Sequence, residues 1–204
     1  MKKILLVITV LAISFSSISC KEKASKDKKT EKQEKTFTVD PNKSEVNWTA
    51  FKTTDKVPVK GKFTKLTIKN STPGKTFADA LNGTEFSIPV SSLFTNNPDR
   101  DHKLKTLFFG IMKNAEILSG TIHIDTPQSG YVDFSMNGII EKLPFSYSAN
   151  ETTLQIKTIM DTNTWQAQAA IESINKACYE LHKGADGVSK TWSDVAIDIS
   201  VFFN

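Results

Sequence analysis

The sequence NPDRDHKLKTLFFGI, residues 97–111, has apolar residues at helical spacing, whereas nearly everything around it alternates like β-strand. Pro98, Asp99 and Asp101 are typical of a helix N-terminus, where the helix dipole is positive and favours negative charge. The apolar face that this spacing creates consists of Leu104, Leu107, Phe108 and Ile111. We therefore predict a helix over 97–111 that covers one end of a β structure and borders its interior if that interior is hollow.

The residues on both sides of this helix alternate between apolar and polar with a period of two, which is the pattern of half-buried strands. Residues 46–50, 132–138 and 195–203 show the alternation most clearly. We count about eight such runs, joined mostly by short turns. This pattern predicts a mainly β fold, an antiparallel eight-stranded barrel or sandwich rather than a parallel sheet. A barrel of this size either fills itself or holds one small ligand.

Three local features refine the predicted strands. The apolar face changes parity after Phe63, which predicts a β-bulge near 64–65. Gly61 lies inside the same strand, where a glycine often marks a bend or a close backbone approach. Residues 141–142 are predicted to form the tight turn of a central hairpin.

A second helix is predicted over 162–183, because the apolar period changes from two to that of a helix. Asp161 or Thr162 is a suitable N-cap, and Gly184 is a suitable stop. The apolar stripe of this helix is formed by Ala167, Ala170, Ile171, Ile174, Cys178 and Leu181. The stripe either packs on the barrel or remains exposed as a surface for a partner.

The N-terminal residues are predicted to serve export and anchoring. Residues 1–19 have a basic start and a short apolar run, which suits a signal peptide and is too short for a membrane span. Small residues before Cys20 resemble a bacterial lipobox, so Cys20 is predicted to carry lipid; the alternative is an ordinary signal peptide cut nearby. Residues 20–35 are predicted to be a disordered Lys/Glu tether. The protein is then expected in the periplasm or cell envelope, lipid-anchored to a bacterial membrane, with one domain over 36–204.

The formal net charge of +4 comes from the N-terminal residues rather than from the predicted domain. Without residues 1–35, the chain holds 17 basic and 18 acidic side chains. A nearly neutral domain has no electrostatic footprint for nucleic acid. We therefore exclude nucleic acid as a predicted partner.

Sequence signatures of catalysis and of cofactor binding are missing from the chain. His102, His123 and His182 are far apart, with no HExxH pattern and no cysteine cluster beside them. No serine lies in a Gly-x-Ser-x-Gly turn, and Cys178 lies on the apolar stripe, where it packs rather than reacts. We predict a protein that is not an enzyme and has no metal or cofactor. An Asp-His or Ser-His pair inside the barrel would reverse that prediction.

Four segments of the chain, taken in order, match the pattern of a known family. They are TFTVDPNKSEVNWTAFK followed by VKGKF, then FSIPVSSLFTNNPDRDHKLKTLFF, then VDFSMNGIIEKLPFSYS, and finally WSDVAIDISVFF. They resemble the YceI-like family of exported proteins, and the pair Arg100-Asp101 is in the most specific part. The chain departs from the family pattern at Lys43 and near 51–52, where histidines are common. The predicted helix over 162–183 resembles an elaboration of that pattern.

The resemblance implies a lipocalin-like barrel that binds a long isoprenoid with a polar head. The implied partners are an isoprenoid or other long-chain amphiphile and the membrane through the N-terminal lipid, with a homodimer left open. The residues predicted to line the cavity are Trp48, Phe63, Phe86, Leu104, Phe108, Phe134, Phe145, Leu154, Ile156 and Val195. The alternative is that these side chains fill a solid core, and that the protein is a non-catalytic envelope interaction or stress-response module.

Arg100 is the only arginine of the chain and has two interpretations. In the first, it pairs with Asp99, Asp101 or a carbonyl at the barrel end and fixes the helix. In the second, its guanidinium group binds a ligand headgroup, such as pyrophosphate or carboxylate, at the barrel mouth. We favour the first interpretation, because two adjacent aspartates weaken an anion site.

Overall fold

Ten antiparallel strands form one continuous sheet around an apolar interior in the computed structural model, which describes residues 35–204. The strands are β1 Val39–Lys52, β2 Val57–Phe63, β3 Thr67–Lys69, β4 Glu85–Pro89, β5 Leu93–Phe94, β6 Ile117–Thr126, β7 Ser129–Met136, β8 Ile139–Ala149, β9 Thr153–Asp161 and β10 Thr191–Phe203. Their order in the sheet is β3-β4-β6-β7-β8-β9-β10-β1-β2-β5. Only residues 64–66 separate β2 from β3, so β3, at one end of this order, begins near β2, which is next to the other end. The sheet therefore curls into an open barrel in which the end strands β3 and β5 do not pair.

Three α-helices and several shorter helical turns accompany the sheet. The α-helices are α1 Phe77–Leu81, α2 Pro98–Lys103 and α3 Gln168–Ala177. A π-helical turn spans Leu104–Phe108, and 3₁₀ turns span Val90–Ser92, Phe109–Ile111, Thr162–Trp165 and Tyr179–Leu181. Between residues 35 and 204, none of these helices is long and apolar enough to cross a membrane.

The predicted signal peptide, the lipid-bearing Cys20 and all of the tether except Lys35 lie outside the described residues. The predictions of export and of lipid anchoring therefore concern a part of the chain that the structure does not describe.

The mainly β, antiparallel prediction is confirmed, but the predicted count of eight strands was wrong. The stretch expected to be one bulged strand is divided into β2 and β3, and its two parts pair with different neighbours. Phe63 in β2 pairs with Leu93, whereas Thr67 in β3 pairs with Ser87. At the break, the backbone N–H of Thr64 donates to the Ser92 carbonyl, 2.9 Å away. The change of partner bends the sheet and adds the short strands β3 and β5.

The central hairpin turns earlier than predicted. Met136 pairs with Ile139, so the two turn residues are Asn137 and Gly138, and residues 141–142 lie inside β8. Both turn residues have positive φ, 55° and 71°. Asn-Gly is the preferred sequence for this type of two-residue turn, because both positions require a left-handed backbone. The Asn-Gly pair therefore predicts this turn better than the Glu-Lys pair at 141–142 on which the prediction was based.

The predicted helix over 97–111 is present from Pro98, although its geometry changes from α to π to 3₁₀ along its length. The Asn97 side chain caps it by accepting from the backbone N–H of Arg100 at 3.0 Å. Ile111, predicted on the buried face, is 49% exposed, because the final turn extends beyond the barrel interior. The face that meets the barrel therefore ends before this turn.

The prediction of a single helix over 162–183 was wrong, because the helical conformation is interrupted after Trp165. Gln166 has a φ of 53°, which ends the 3₁₀ turn before α3 begins. The Trp165 side chain is 1% exposed, and its indole N–H donates to the Phe134 carbonyl at 2.8 Å. Of the predicted apolar stripe, Ile174 is buried whereas Leu181 is 63% exposed.

One end of the barrel is closed by α1 and three aromatic rings. The Phe77 ring stacks on Phe203 at 4.3 Å, and Phe37 meets Phe77 edge-on at 4.4 Å. Leu81, the last residue of α1, is 1% exposed in the core cluster that fills this end. A second core cluster around Trp165 packs beneath the other end. The interior is therefore filled at the end where β1 begins.

Candidate ligand cavity

A cavity of about 490 Å³ lies inside the barrel, between the filled end and the helices at the other end. This volume is in the range of 300–1,000 Å³ that is typical of ligand pockets in proteins. Its lining runs from Val39 and Leu81 at the filled end to Lys52 and Trp192 at the mouth, so the cavity follows β1 from one end to the other. The inward-facing rings of this barrel consequently leave space among them and do not form a solid core.

The structure places most of the predicted lining residues around this cavity. Those that border it are Trp48, Phe63, Phe86, Leu104, Phe108, Phe134, Phe145, Ile156 and Val195. Leu154, the remaining predicted residue, does not border it. Its side chain is completely buried in the cluster that fills the closed end, opposite Val201 on β10. At that end, side chains from neighbouring elements meet directly and leave no space.

The sequence prediction missed several lining residues at the mouth. Lys103, Cys178, His182 and Trp192 border the cavity there. A strand-parity argument does not apply to the first three, because they lie in or next to helical turns. Trp192 is the second residue of β10, and alternation extended from Val195 would place it on the outer face. Its position at the cavity follows from a shift in the register of β10 against β1, which the alternation does not reveal.

The charged residues that border the cavity lie at the mouth. They are Lys52 at the end of β1 and Asp99, Arg100 and Lys103 on α2. Deeper in the cavity, the hydroxyl group of Thr158 donates to the Pro144 carbonyl at 2.7 Å and is therefore already engaged. The cavity thus offers apolar surface along its length and charge at one end.

Asp101 and Arg100 have different roles in the structure. The Asp101 carboxylate accepts from the Thr95 backbone N–H at 2.8 Å and from the Thr95 hydroxyl at 2.6 Å, so it ties α2 to the end of β5. The predicted pair between Arg100 and Asp99 or Asp101 does not form. Within the described part of the chain, no ion pair or side-chain hydrogen bond engages the Arg100 guanidinium group, which borders the cavity.

A polar cluster holds the segment after α3 against the start of β10. The Thr191 hydroxyl donates to Asn175 at 2.9 Å, and Nδ1 of His182 lies 2.7 Å from the same hydroxyl oxygen. Since the hydroxyl proton is used on Asn175, His182 donates from Nδ1. Burial, followed by the positive charge of Lys52, lowers the pKa of His182 and favours the neutral form. The side chain of Lys52 also donates to the Leu181 carbonyl at 2.9 Å.

The three histidines do not converge. His102 is exposed on α2, whereas Nε2 of His123 lies 3.0 Å from the Asp133 carboxylate and the His123 ring stacks on Tyr131 at 4.6 Å. Among residues 35–204, no group of three or more His, Cys, Asp or Glu side chains is arranged to hold a metal ion.

A model of the YceI-like domain matches residues 37–203, which is nearly the whole described part of the chain. The chain belongs to the YceI-like family. The match includes the barrel, the cavity and the helices at its mouth. A comparison with curated protein sequences finds no match.

Solved structures share this YceI-like fold at low sequence identity. A polyisoprenoid binding domain from Saccharophagus degradans, implicated in plant cell wall breakdown, has a TM-score of 0.58 and 15% identity over 82% of this chain and 97% of that one. BcnA of Burkholderia cenocepacia has a TM-score of 0.53 and 15% identity, over 80% and 98% of the two chains. The YCEI protein of Campylobacter jejuni has a TM-score of 0.50 and 14% identity, over 72% and 85%. At such identities, the similarity establishes the fold alone.

Proposed function

We propose that this YceI-like protein binds one long-chain amphiphile, with an isoprenoid as the leading candidate, and carries it inside the barrel without chemical change. The observation that carries the proposal is a cavity of about 490 Å³ that is apolar along its length and charged only at its mouth. One structural relative is a polyisoprenoid binding domain, which supports this ligand class.

Apolar burial alone can supply the affinity that this function needs. Each methylene group that moves from water into the cavity contributes about 0.8 kcal/mol. A long chain therefore requires no catalytic residue and few hydrogen bonds to remain bound. The aromatic rings of Phe86, Phe134 and Phe145 border the middle of the cavity and provide the contact surface for such a chain.

Arg100 and Lys103 are the groups that we propose for the polar end of the ligand. Both border the cavity, and no ion pair within the described residues engages either side chain. Phosphate, pyrophosphate or carboxylate oxygens would accept hydrogen bonds from these two cations. Asp99 borders the same mouth and favours a headgroup that keeps its negative charge towards Arg100 and Lys103.

We also propose that the domain works beside a membrane. The predicted export signal, lipid on Cys20 and polar tether over 20–35 together support an exported, lipid-anchored protein whose barrel reaches a bilayer. Labelling of the protein with a radioactive fatty acid, in the wild type and in the Cys20→Ser variant, tests the anchor. Loss of label in the variant is expected, and equal labelling of the two proteins would contradict the proposal.

A pair of neighbouring substitutions on β1 tests whether the ligand enters the cavity. Ala50 borders the cavity opposite Val59 and Val195, whereas Thr49 pairs with Lys60 and Ala196 and borders only the outer face of the sheet. We expect Ala50→Trp to block the mouth and abolish binding of the fluorescent polyene cis-parinaric acid. Thr49→Trp adds the same side chain on the outer face and should leave binding intact.

Two results would overturn the proposal. One is equal binding of the polyene by the two variants, both shown to be folded by circular dichroism and urea unfolding. The other is absence of saturable binding by the wild-type protein to the polyene and to any polyprenol or quinone tested.

A further inference from the structure

One side of the mouth is built from residues 52–57 and 179–194, which together form a surface that we call the rim patch. The two segments are joined by several direct hydrogen bonds. Thr53 donates from its backbone to the Lys190 carbonyl at 2.9 Å, and the Trp192 indole donates to the Thr53 carbonyl at 2.7 Å. The Lys52 side chain donates to the Leu181 carbonyl at 2.9 Å, and the Lys56 side chain donates to the Asp194 carboxylate at 2.6 Å. The rim patch is thus a connected platform rather than two separate loops.

Apolar side chains project from this platform into solvent. They are Val57, Tyr179, Leu181 and Val188, with exposed fractions of 41%, 49%, 63% and 50%. Four of the nine large hydrophobic residues that are exposed in the described part of the chain therefore gather on one side of the mouth. Scattered exposed apolar residues need no explanation, but a group beside a cavity marks an interaction surface.

Lysine side chains lie over the aromatic rings of the rim patch. The ammonium groups of Lys56 and Lys190 lie 4.2 Å and 3.5 Å from the centre of the Trp192 ring, and Lys183 lies 5.7 Å from that of Tyr179. Aromatic rings with an apolar body and a polar edge, next to lysines that extend past apolar surface, are typical of groups at a membrane–water interface.

The charges of the rim patch balance. Its two segments contain four lysines and four acidic residues, and burial lowers the pKa of His182, which favours the neutral imidazole. Two of the acidic residues are paired: Asp194 lies 2.6 Å from Lys56, and Glu180 lies 3.6 Å from Lys183. A highly charged partner would therefore gain little here, and attraction to this surface must come from its apolar side chains.

The rim patch is continuous with the cavity. Lys52, Leu181, His182 and Trp192 belong to the patch and also border the cavity. An apolar chain that leaves the barrel on this side passes directly over the exposed apolar residues. We propose that the rim patch inserts into the boundary between headgroups and acyl chains of a lipid bilayer, so that a ligand passes between cavity and membrane without crossing water. This inference rests on the proposed function.

A bilayer fits this surface better than a protein partner does. Protein–protein interfaces are depleted in lysine and in acidic residues, whereas the rim patch has eight such residues among a few apolar ones. At a membrane, lysine side chains can keep their ammonium groups among the headgroups while neighbouring apolar side chains insert.

A fluorescent probe at a single position tests insertion. Val188→Cys places a thiol in the rim patch, and Ile159→Cys places one on the outer face of β9, where Ile159 is 73% exposed. Both variants are made in the full chain with Cys20→Ser, and the remaining Cys178 is buried. Each is labelled with the fluorophore NBD and mixed with phosphatidylcholine vesicles that contain no other lipid.

We expect a blue shift of NBD emission at position 188 and none at position 159. The shift should persist at about 1 M salt, where the Debye length is about 3 Å, because the patch is charge-balanced. Adding Leu181→Asp should reduce the shift at position 188. Equal shifts at both positions, no shift at position 188, or a shift that needs anionic lipid and disappears in salt would overturn the inference.

The vesicle experiment contains no polyene and reports only the environment of position 188, so its outcome is separate from that of the binding assay with the polyene. Insertion at position 188 without polyene binding would contradict the proposed function and leave the membrane contact standing. Polyene binding without insertion at position 188 would leave the proposed function standing and contradict the membrane contact.

Discussion

The benzene ring of Trp48 occupies the space that a side chain at position 61 would need, on the strand directly opposite. Trp48 and Gly61 are cross-strand partners on β1 and β2, and a Cβ atom at position 61 would overlap the ring. Trp48 is 8% exposed and borders the cavity. Glycine at this position therefore lets the indole lie against the wall instead of projecting into the cavity.

Gly61→Ala should force the Trp48 ring inwards, which both destabilises the fold and narrows the cavity. Overpacking of this kind costs about 1–3 kcal/mol, to be measured as a lower free energy of unfolding in urea. Polyene binding should weaken in the same variant. In a Trp48→Leu background, the same change at position 61 should cost much less. An equal cost in both backgrounds would show that the two residues are not coupled.

Asn137→Gly separates the backbone role of the hairpin turn from its side-chain role. Glycine keeps the positive φ, but it removes the bonds that the Asn137 side chain makes to the Lys113 N–H and the Trp165 carbonyl, both at 2.8 Å, and a longer one to the Gln166 carbonyl at 3.2 Å. Each such bond contributes about 1 kcal/mol, so we expect a loss of about 2 kcal/mol in urea unfolding. An unchanged free energy of unfolding would mean that the turn geometry alone matters.

Asp101→Asn should loosen the helical segment at the mouth. The neutral amide is a weaker acceptor for the two Thr95 donors, and hydrogen bonds to charged groups are worth about 1.5–3 kcal/mol. We expect faster hydrogen exchange at the Thr95 amide and faster release of bound polyene. The exposed neighbour Asp99→Asn is the matched control, and similar exchange rates at Thr95 in the two variants would contradict the assignment.

His182 should make stability depend on pH. Burial and then Lys52 lower its folded pKa, so the unfolded chain binds the proton more readily. The stability it contributes is complete above about pH 6.5, the ordinary pKa, and is lost as pH falls through the lowered value. His182→Asn keeps an N–H group for Thr191 but does not titrate. Urea unfolding at a series of pH values should give a flatter curve for the variant below about pH 6.5, and parallel curves would refute this role.

Arg100→Gln and Lys103→Gln should distinguish ligands by their headgroups. We expect each to weaken binding of a polyprenyl phosphate about tenfold, equivalent to about 1.4 kcal/mol, with little effect on the uncharged polyprenol. The matched control is Lys60→Gln on β2, which does not border the cavity. Equal losses for phosphate and alcohol, measured by displacement of the polyene, would remove both residues from the headgroup site.

Period-two alternation was sufficient to predict an antiparallel β fold, because it reports directly which side of each strand is buried. It also predicted an irregularity after Phe63, since a change of parity is visible in the sequence, but it predicted a bulge within one strand where the chain forms two strands. It could not show that the parts on either side of the break pair with different strands, as Phe63 and Thr67 do. Pairing is a long-range property that a local pattern does not contain.

The candidate site was predictable where it lies on strands and less so at the mouth. Inward-facing Phe86 and Phe134 follow from alternation, whereas the exclusion of Leu154 depends on how α1 closes one end. The interruption of the helix after Trp165 accompanies a hydrogen bond from the Trp165 indole to the Phe134 carbonyl, 31 residues away in the chain. A local pattern does not contain such a contact. The absence of an ion pair between Arg100 and Asp101 could not be predicted either, because it is Thr95 that engages the Asp101 carboxylate.

The most direct test is native mass spectrometry of the protein purified without detergent, followed by analysis of any lipid released on denaturation. The account predicts a one-to-one complex with a long-chain amphiphile, which the Ala50→Trp variant lacks and the Thr49→Trp variant retains. A wild-type protein that carries no such molecule, and that takes up none when offered polyprenols, quinones and fatty acids, would contradict it.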